Sequence, residues 1–173
     1  IERMSTRDAV VNATLIGGRI PLPMSSIGLV LLAHADESLV DEVIAAGWPQ
    51  PTEHTVADAA GLRQVLPRVR ADGHAVTDGF IHEQSRGIAV PVFGPLGGVY
   101  AGLGVVVPND GTRVQGMIET LMIAAAGIRA ALENAYHPDA GRVAVGPLVS
   151  TSTRSIEYFS ARAQAPGDTR PVS

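Results

Sequence analysis

Two consecutive serines, Ser25 and Ser26, follow a rigid Pro21-Leu22-Pro23-Met24 segment and precede Ile27-Gly28 and an apolar run. A hydroxyl residue directly ahead of such a run is where a helix begins. The first-turn N–H groups of a helix have no carbonyl one turn back, and they carry the positive end of its dipole. Ser25 and Ser26 therefore mark a place suited to a carboxylate or another anion, with two hydroxyls and a small glycine beside it. The same residues also describe an ordinary capped helix, and spacing alone does not separate the two readings.

Other chemistry is poorly supplied. The histidines, His34, His54, His74, His82 and His137, are scattered without HxH or HExxH spacing, so no metal site is expected. There is no cysteine, which excludes disulfides, thiolate metal sites and cysteine nucleophiles. No GxSxG elbow occurs, and no catalytic residue or cofactor is expected. Gly97-Gly98 and Gly102-x-Gly104 lie in and after a turn between strands, so they read as a tight turn and a close backbone approach, not as a dinucleotide fingerprint. Asp78 and Arg86 bound a polar segment next to an apolar hairpin. That is the layout of a charged loop at the mouth of an apolar cavity, and equally that of a solvated loop.

The elements that must position these residues follow from periodicity and breakers. Ala9–Ile16 predicts a strand ended by Gly17-Gly18. A first helix, capped by Ser25 or Ser26, runs through Leu29, Leu31 and Leu32. A second, capped by Asp36, faces inward with Leu39, Val43 and Ile44 and stops at Gly47. A proline-bearing loop, Trp48–Glu53, leads to a third helix over Ala57–Ala71, with Leu62, Val65, Leu66 and Val69 on one face and Pro67 bending it. His74–Thr77 predicts a short strand, and Asp78–Arg86 an irregular segment. Ile88–Phe93 and Val99–Val107 form a hairpin around Gly94-Pro95-Leu96-Gly97-Gly98. Both arms are almost wholly apolar, as in strands covered on both faces or lining a closed pocket. Thr112 caps a long helix over Arg113–Ala135. Val143–Leu148 is a possible further strand, and Ala163–Ser173 has the composition of a disordered tail. Strands and helices segregate, so the class is α+β with helices packed on an antiparallel sheet. Residues 1–136 form the domain and 137–173 an extension.

Composition bounds the function. The chain has 173 residues, 46% of them hydrophobic and only 4% aromatic, which suits one domain with an aliphatic core. The net charge is −4 with no basic run, so this stretch by itself is a poor match for nucleic acid. No apolar stretch is long enough for a bilayer and no secretory signal is visible, so a cytoplasmic place and no membrane partner are expected. The absence of an initiator Met at Ile1 marks the chain as a possible fragment of something longer.

Several blocks together resemble the effector-binding domain of IclR-type transcription regulators. IPLPMSSIGLVLLA is similar to the stretch that opens the main pocket of that family, commonly LPLHATALGKALLA. AAGLRQVLPRVRADGHAVTDGFIHEQSRGIAVPVF is similar to its later block: a helix, a short strand, an acidic loop and a strand ending R-C-I-A-A-P-V-F. GVYAGLGVVVP matches the partner strand and its closing proline. The resemblance spans about Thr14 to Leu132. It implies a GAF/profilin-like fold, a curved antiparallel sheet with helices on its convex side and a ligand pocket on the other. It also implies a winged helix-turn-helix ahead of this domain, through which operator DNA is bound, and a homodimer or dimer of dimers.

The resemblance further implies a pocket. Asn12 and Ile20 would form part of its wall, near Met24. Ser25, Ser26, Ile27 and Gly28 would offer hydroxyls and helix-start amides to an effector carboxylate. Thr77 and Asp78 match an acidic pair, and Ser85 and Gly87 match the residues around a frequent Leu-Arg-Cys. Gly104 and Val106 match two strand positions that carry hydroxyls in relatives binding small oxo-acids. Here Gly87 stands where Cys is frequent, Thr77 replaces an acid, and Gly104 and Val106 remove hydroxyls. A roomier, less polar pocket is expected, with a fairly apolar aromatic or alkyl acid as the effector and not a two-carbon oxo-acid, which would leave hydrogen bonds unmade. The relatives also have two strands and a linking helix before the segment matching Ala9–Ile16; here they are missing, either because they lie ahead of Ile1 or because Val143–Leu148 partly replaces them. The leading function is an allosteric sensor controlling a DNA-reading head. The competing ones are a stand-alone small-molecule-binding module and, with no base–nucleophile pair to support it, an enzyme.

Overall fold

Pro21 and Pro23 hold the chain extended and then in a single 3-10 turn, Leu22–Met24, in the computed structural model, which describes residues 20–137 and 142–143. These residues belong to one compact unit, Ala9–Val143. Helix α1 (Ser26–Ala33) follows at once, and Leu29, Val30, Leu32 and Ala33 are all but completely buried. It is apolar on nearly every side because other layers surround it. Helix α2 (Glu37–Ala46) starts at Asp36, whose carbonyl, not its carboxylate, accepts the first N–H groups. Its deepest residue is Val40. Leu39, expected on the inner face, is 42% exposed, while Val43 and Ile44 pack at the margin of the core. Gly47, with φ of 67°, turns the chain out of the helix.

Helix α3 (Ala59–Asp72) begins two residues later than its periodicity predicts, because the Asp58 carboxylate accepts the Gly61 N–H at 2.8 Å and fixes the start. Leu62, Leu66 and Val69 are its buried stripe, and Gly73 ends it in the left-handed conformation. Three strands then form one antiparallel sheet in the order β1 (Ala75–Asp78), β2 (Ser85–Phe93), β3 (Val99–Pro108). The segment read as irregular is shorter than expected. Strand β2 begins at Ser85, and Arg86 pairs with Asp78 across the ladder. A bulge at Val92/Phe93 precedes the hairpin tip, where the Gly94 N–H bonds the Gly98 carbonyl at 2.8 Å.

Alternation along the strands assigns the two faces. Ala75 and Ala89 face α1, α2 and α3, in a core with Leu29, Leu32, Leu62 and Val69. Ile88, Val90 and Val92 face the long helix α4 (Gln115–Ala135), through Ile118, Leu121 and Ala125. Helices thus lie on both faces among the described residues, not on one side only. Thr112 does not cap α4. Its N–H bonds the Asp110 carboxylate at 2.9 Å, and the helix starts behind Val114 with no side-chain cap. A two-residue pair, β4 (Tyr136–His137) with β5 (Arg142–Val143), closes the described part. Ala9–Ile16, Ala163–Ser173 and all of Val143–Leu148 beyond Val143 lie outside the described residues, and so does Asn12. The α+β class with an antiparallel sheet stands.

Candidate functional site

The start of α1 is built by three small residues with separate tasks. Ser25 is extended (φ −138°, ψ 151°), and its Oγ accepts the Gly28 N–H at 3.0 Å. Its carbonyl accepts the Leu29 N–H at 2.9 Å. Gly28 lets the helix sit directly on the 3-10 turn, since a Cβ there would meet the Leu22 carbonyl carbon at 2.6 Å. Ser26 points inward and is 6% exposed. The N–H groups of Ser26 and Ile27 are left at the dipole's positive end without a helical carbonyl one turn back.

Across from this helix start, the sheet presents two rows of small residues. One is Thr77–Gly87–Val106, the other Ala75–Ala89–Gly104, each running over β1, β2 and β3. Ser26 lies on the first row. A Cβ at Gly87 would stand 2.8 Å from Ser26 Oγ and 2.6 Å from Thr77 Oγ1, so the two hydroxyls converge over the glycine. Thr77 is 4% exposed and its hydroxyl reaches the Gly87 carbonyl at a long 3.4 Å. Ile27 covers β3: a Cβ at Gly102 would lie 2.8 Å from its Cγ2 methyl, and one at Gly104 3.1 Å from its Cγ1 methylene. The space opened by Gly104 is therefore filled by Ile27, Ala89 and the Ile88 carbonyl, and Gly104 makes close packing instead of the extra room expected of it.

The other predicted residues fall in different places. Val106 shares the row of Gly87 and is 47% exposed, and Met24 is buried beneath the helix start. Ile20 is half-buried at the beginning of the described chain. Ser85 lies on the α1 face, but its hydroxyl is donated to the His82 carbonyl at 2.9 Å. Asp78 is not with Thr77, because neighbours on a strand point to opposite faces. Its carboxylate pairs with Arg86 on the α4 side, where Arg86 also bonds the Thr112 carbonyl at 2.8 Å. A shallow concavity there, bounded by Arg86, Asp110, Thr112 and Met117, is lined by groups that already satisfy one another. Thr112 holds the Asp110 carboxyl below its ordinary pKa.

Gly102 and Gly104, expected as a close backbone approach, lie together under Ile27, because the two-residue spacing puts both on one strand face. Two further residues carry no sequence signal. Thr52 and Thr55 in the α2–α3 loop tie down the chain after β1. Thr52 Oγ1 donates to the Gly79 carbonyl at 2.7 Å and Thr55 Oγ1 to the Phe80 carbonyl at 2.6 Å. No local pattern announces a bond across 25 residues.

An antiparallel sheet with a serine-capped helix start laid over a row of small residues defines the class: an α+β domain with helices on both faces of its sheet among the described residues. The chain belongs to the family described as bacterial transcriptional regulator IclR C-terminal, which it matches over residues 1–129. It is 36% identical over 126 residues to the HTH-type transcriptional regulator KdgR of Escherichia coli, covering 70% of this chain and 47% of that protein. It is 34% identical over 107 residues to the Pca regulon regulatory protein of Pseudomonas putida, covering 61% and 37%. A crystal structure of an IclR homolog from Microbacterium hydrocarbonoxydans complexed with 4-hydroxybenzoate superposes with a TM-score of 0.72 at 37% identity, covering 77% of this chain and 55% of that one. The chain thus spans about half or less of the length of these curated relatives. No helix among the described residues is long and apolar enough to cross a membrane.

Proposed function

We propose that this chain is the sensing part of a longer bacterial transcription regulator and that it binds a small carboxylic acid with an apolar body. The observation that carries this reading is the convergence of the Ser26 and Thr77 hydroxyls over Gly87, beside the first-turn amides of α1. Buried hydroxyls and a helix N-terminus together favour an oxyanion. The flanking side chains Ile27 and Val106, 39% and 47% exposed, offer apolar contact to the rest of such a ligand. The site is read as a place of binding and not of reaction. His34 stacks edge-on against Phe93 at the far end of α1, and His74 bonds the Asp72 carbonyl, so neither is placed as a base for these hydroxyls. In the whole regulator, acid binding would shift a homodimer, or a dimer of dimers, between arrangements that present winged-helix heads to operator DNA differently, in the cytoplasm.

Thermal unfolding of the chain with 4-hydroxybenzoate, octanoate or glyoxylate tests the first step. A ligand that binds only the folded state stabilises it by about 2.7 kcal/mol at a hundred times its Kd. The expected outcome is a concentration-dependent rise in Tm with the two apolar acids and none with glyoxylate. A rise with glyoxylate alone, or with none of the three, overturns the proposal.

A further inference from the structure

We propose that the outward face of α4 is a self-association surface, on which a second copy of this chain lays its own α4 antiparallel. It concerns the side of the sheet away from the start of α1 and does not rest on the sensing site. Ile118, Leu121 and Ala125 turn one side of α4 to the sheet. On the opposite side Gly116, Thr120, Ile123, Gly127, Ala130 and Asn134 recur at spacings of four and three, so they form one straight seam along the helix. All six are exposed, and Ile123, at 75%, is more exposed than any other large hydrophobic residue of the helix.

The contacts of the domain among its described residues do not call for this composition. Glycine inside a helix is less stable than alanine, because its backbone loses more freedom. Yet an added Cβ at Gly116 or Gly127 would meet nothing within 4 Å among the described residues, so no packing there requires the smaller residue. An aliphatic side chain as open as Ile123 gains little from burial. Thr120 donates its hydroxyl to the Gly116 carbonyl at 2.7 Å, which satisfies its polar group within the helix and leaves a methyl to offer. The charged residues lie off the seam. Arg129 pairs with Glu133 at 2.7 Å, and Gln115 bonds Glu119 at 3.0 Å. Covering the seam therefore strands no charge and no hydroxyl.

The occupant follows from the symmetry of the spacing. Along the helix, Ile123 and Gly127 are equally far from the level of Ala125, and so are Thr120 and Ala130. A two-fold axis at that level sets Ile123 into the notch at the partner's Gly127, and Thr120 against the partner's Ala130, each larger side chain facing a smaller one. A parallel pair would set Ile123 against the partner's Ile123 and leave the glycines facing a void. An unrelated protein would need no such symmetry. The seam is about 30 Å long and about 10 Å wide, which comes to roughly 300 Å² on each copy. A standard stable interface uses about 800 Å² per partner. The pair is therefore weak by itself, and is populated at high concentration or where other parts of a longer protein hold two copies together.

Sedimentation equilibrium of the 173-residue chain from about 5 µM to about 1 mM tests the proposal. The expected result is a reversible monomer–dimer equilibrium, which Ile123→Glu and Gly127→Leu each weaken tenfold or more. At the dilute end Ile123→Glu should keep a Tm within a few degrees of wild type, and Gly127→Leu should melt at or above it, since leucine favours the helix. The chain has no cysteine, so mixed Ile123→Cys and Gly127→Cys chains, mildly oxidised, should cross-link to each other faster than either does to itself. A chain that is monomeric at every concentration, a dimer that neither substitution weakens, or faster cross-linking of Ile123→Cys to itself overturns the proposal. A marked loss of stability in Ile123→Glu at the dilute end also overturns it, because the face would then be covered from within the chain. None of these results bears on the acid site, which the thermal assay with the three acids tests separately.

Discussion

His34 closes α1 at the end opposite to the serines, and its position makes folding depend on acidity. Its Nε2 is buried and has no hydrogen-bond partner among the described residues, and its ring packs edge-on against Phe93 at 5.5 Å. Burial, and then the Arg70 guanidinium, push its pKa below the ordinary value of 6.5. Arg70 donates to the Ala33 carbonyl next door, so it stays close. The unfolded chain therefore takes up a proton more readily than the folded one, and the stability tied to a neutral His34 is complete above pH 6.5. It falls as the pH drops through 6.5 towards the lowered folded value, and no further below that. Urea midpoints should decline between pH 7 and 5, and His34→Gln should flatten that part of the curve. An unchanged slope in the variant would show that another group is responsible. At this scale the sequence was informative where neighbours share a role. Ser25-Ser26-Ile27-Gly28 was readable as a helix start, because capping is local. Thr77-Asp78 was read as a pair, but the strand sends one side chain to Ser26 and the other to Arg86. Which face each takes depends on a partner strand that the dipeptide does not reveal.

Among elements, the loop between α2 and α3 holds the end of β1 and so the place of Thr77. Thr55 is 3% exposed and its hydroxyl donates to the Phe80 carbonyl, while Thr52 serves the Gly79 carbonyl and Trp48 Nε1 donates to Val56 at 2.6 Å. These bonds take the place of a ladder for chain that has left the sheet. Thr55→Val keeps the shape but leaves the half-buried Phe80 carbonyl with only the longer bond from Thr52 Oγ1 at 3.2 Å, a loss of about 0.5–1.5 kcal/mol. The expected observation is a lower urea midpoint with an unchanged slope. A variant as stable as wild type would mean that water replaces the hydroxyl freely. Helices α1 and α2 and the hairpin were legible because apolar periodicity and glycine stops act within a few residues. The starts of β2 and α4 were not. Asp78, Arg86 and Thr112 look polar and loop-like one by one, and only their mutual bonds turn them into strand ends and a helix approach.

At the scale of the whole domain, the sheet separates two cores that share no side chains among the described residues. Ser26, Thr77, Gly87 and Ile27 belong with α1 on one side, while Ile118, Leu121 and Ala125 of α4 pack on the other. The backbone of β2 is common to both, because Ala89 faces α1 and its neighbours Ile88 and Val90 face α4. An acid held at the start of α1 stabilises the folded state as a whole, yet its local effect should follow this division. Amides that open by local fluctuation report their own layer, whereas those that open only on global unfolding report total stability. Saturating 4-hydroxybenzoate should slow hydrogen exchange first in Ser26–Ala33 and in β2 near Gly87. The exposed outer turns of α4, around Ile123, should be nearly unaffected. If α4 slowed as much as α1 under conditions where global unfolding does not contribute, the two faces would respond as one body. The sheet would then be the rigid element through which a ligand on one side is felt on the other, and the division into independent layers would have to be abandoned.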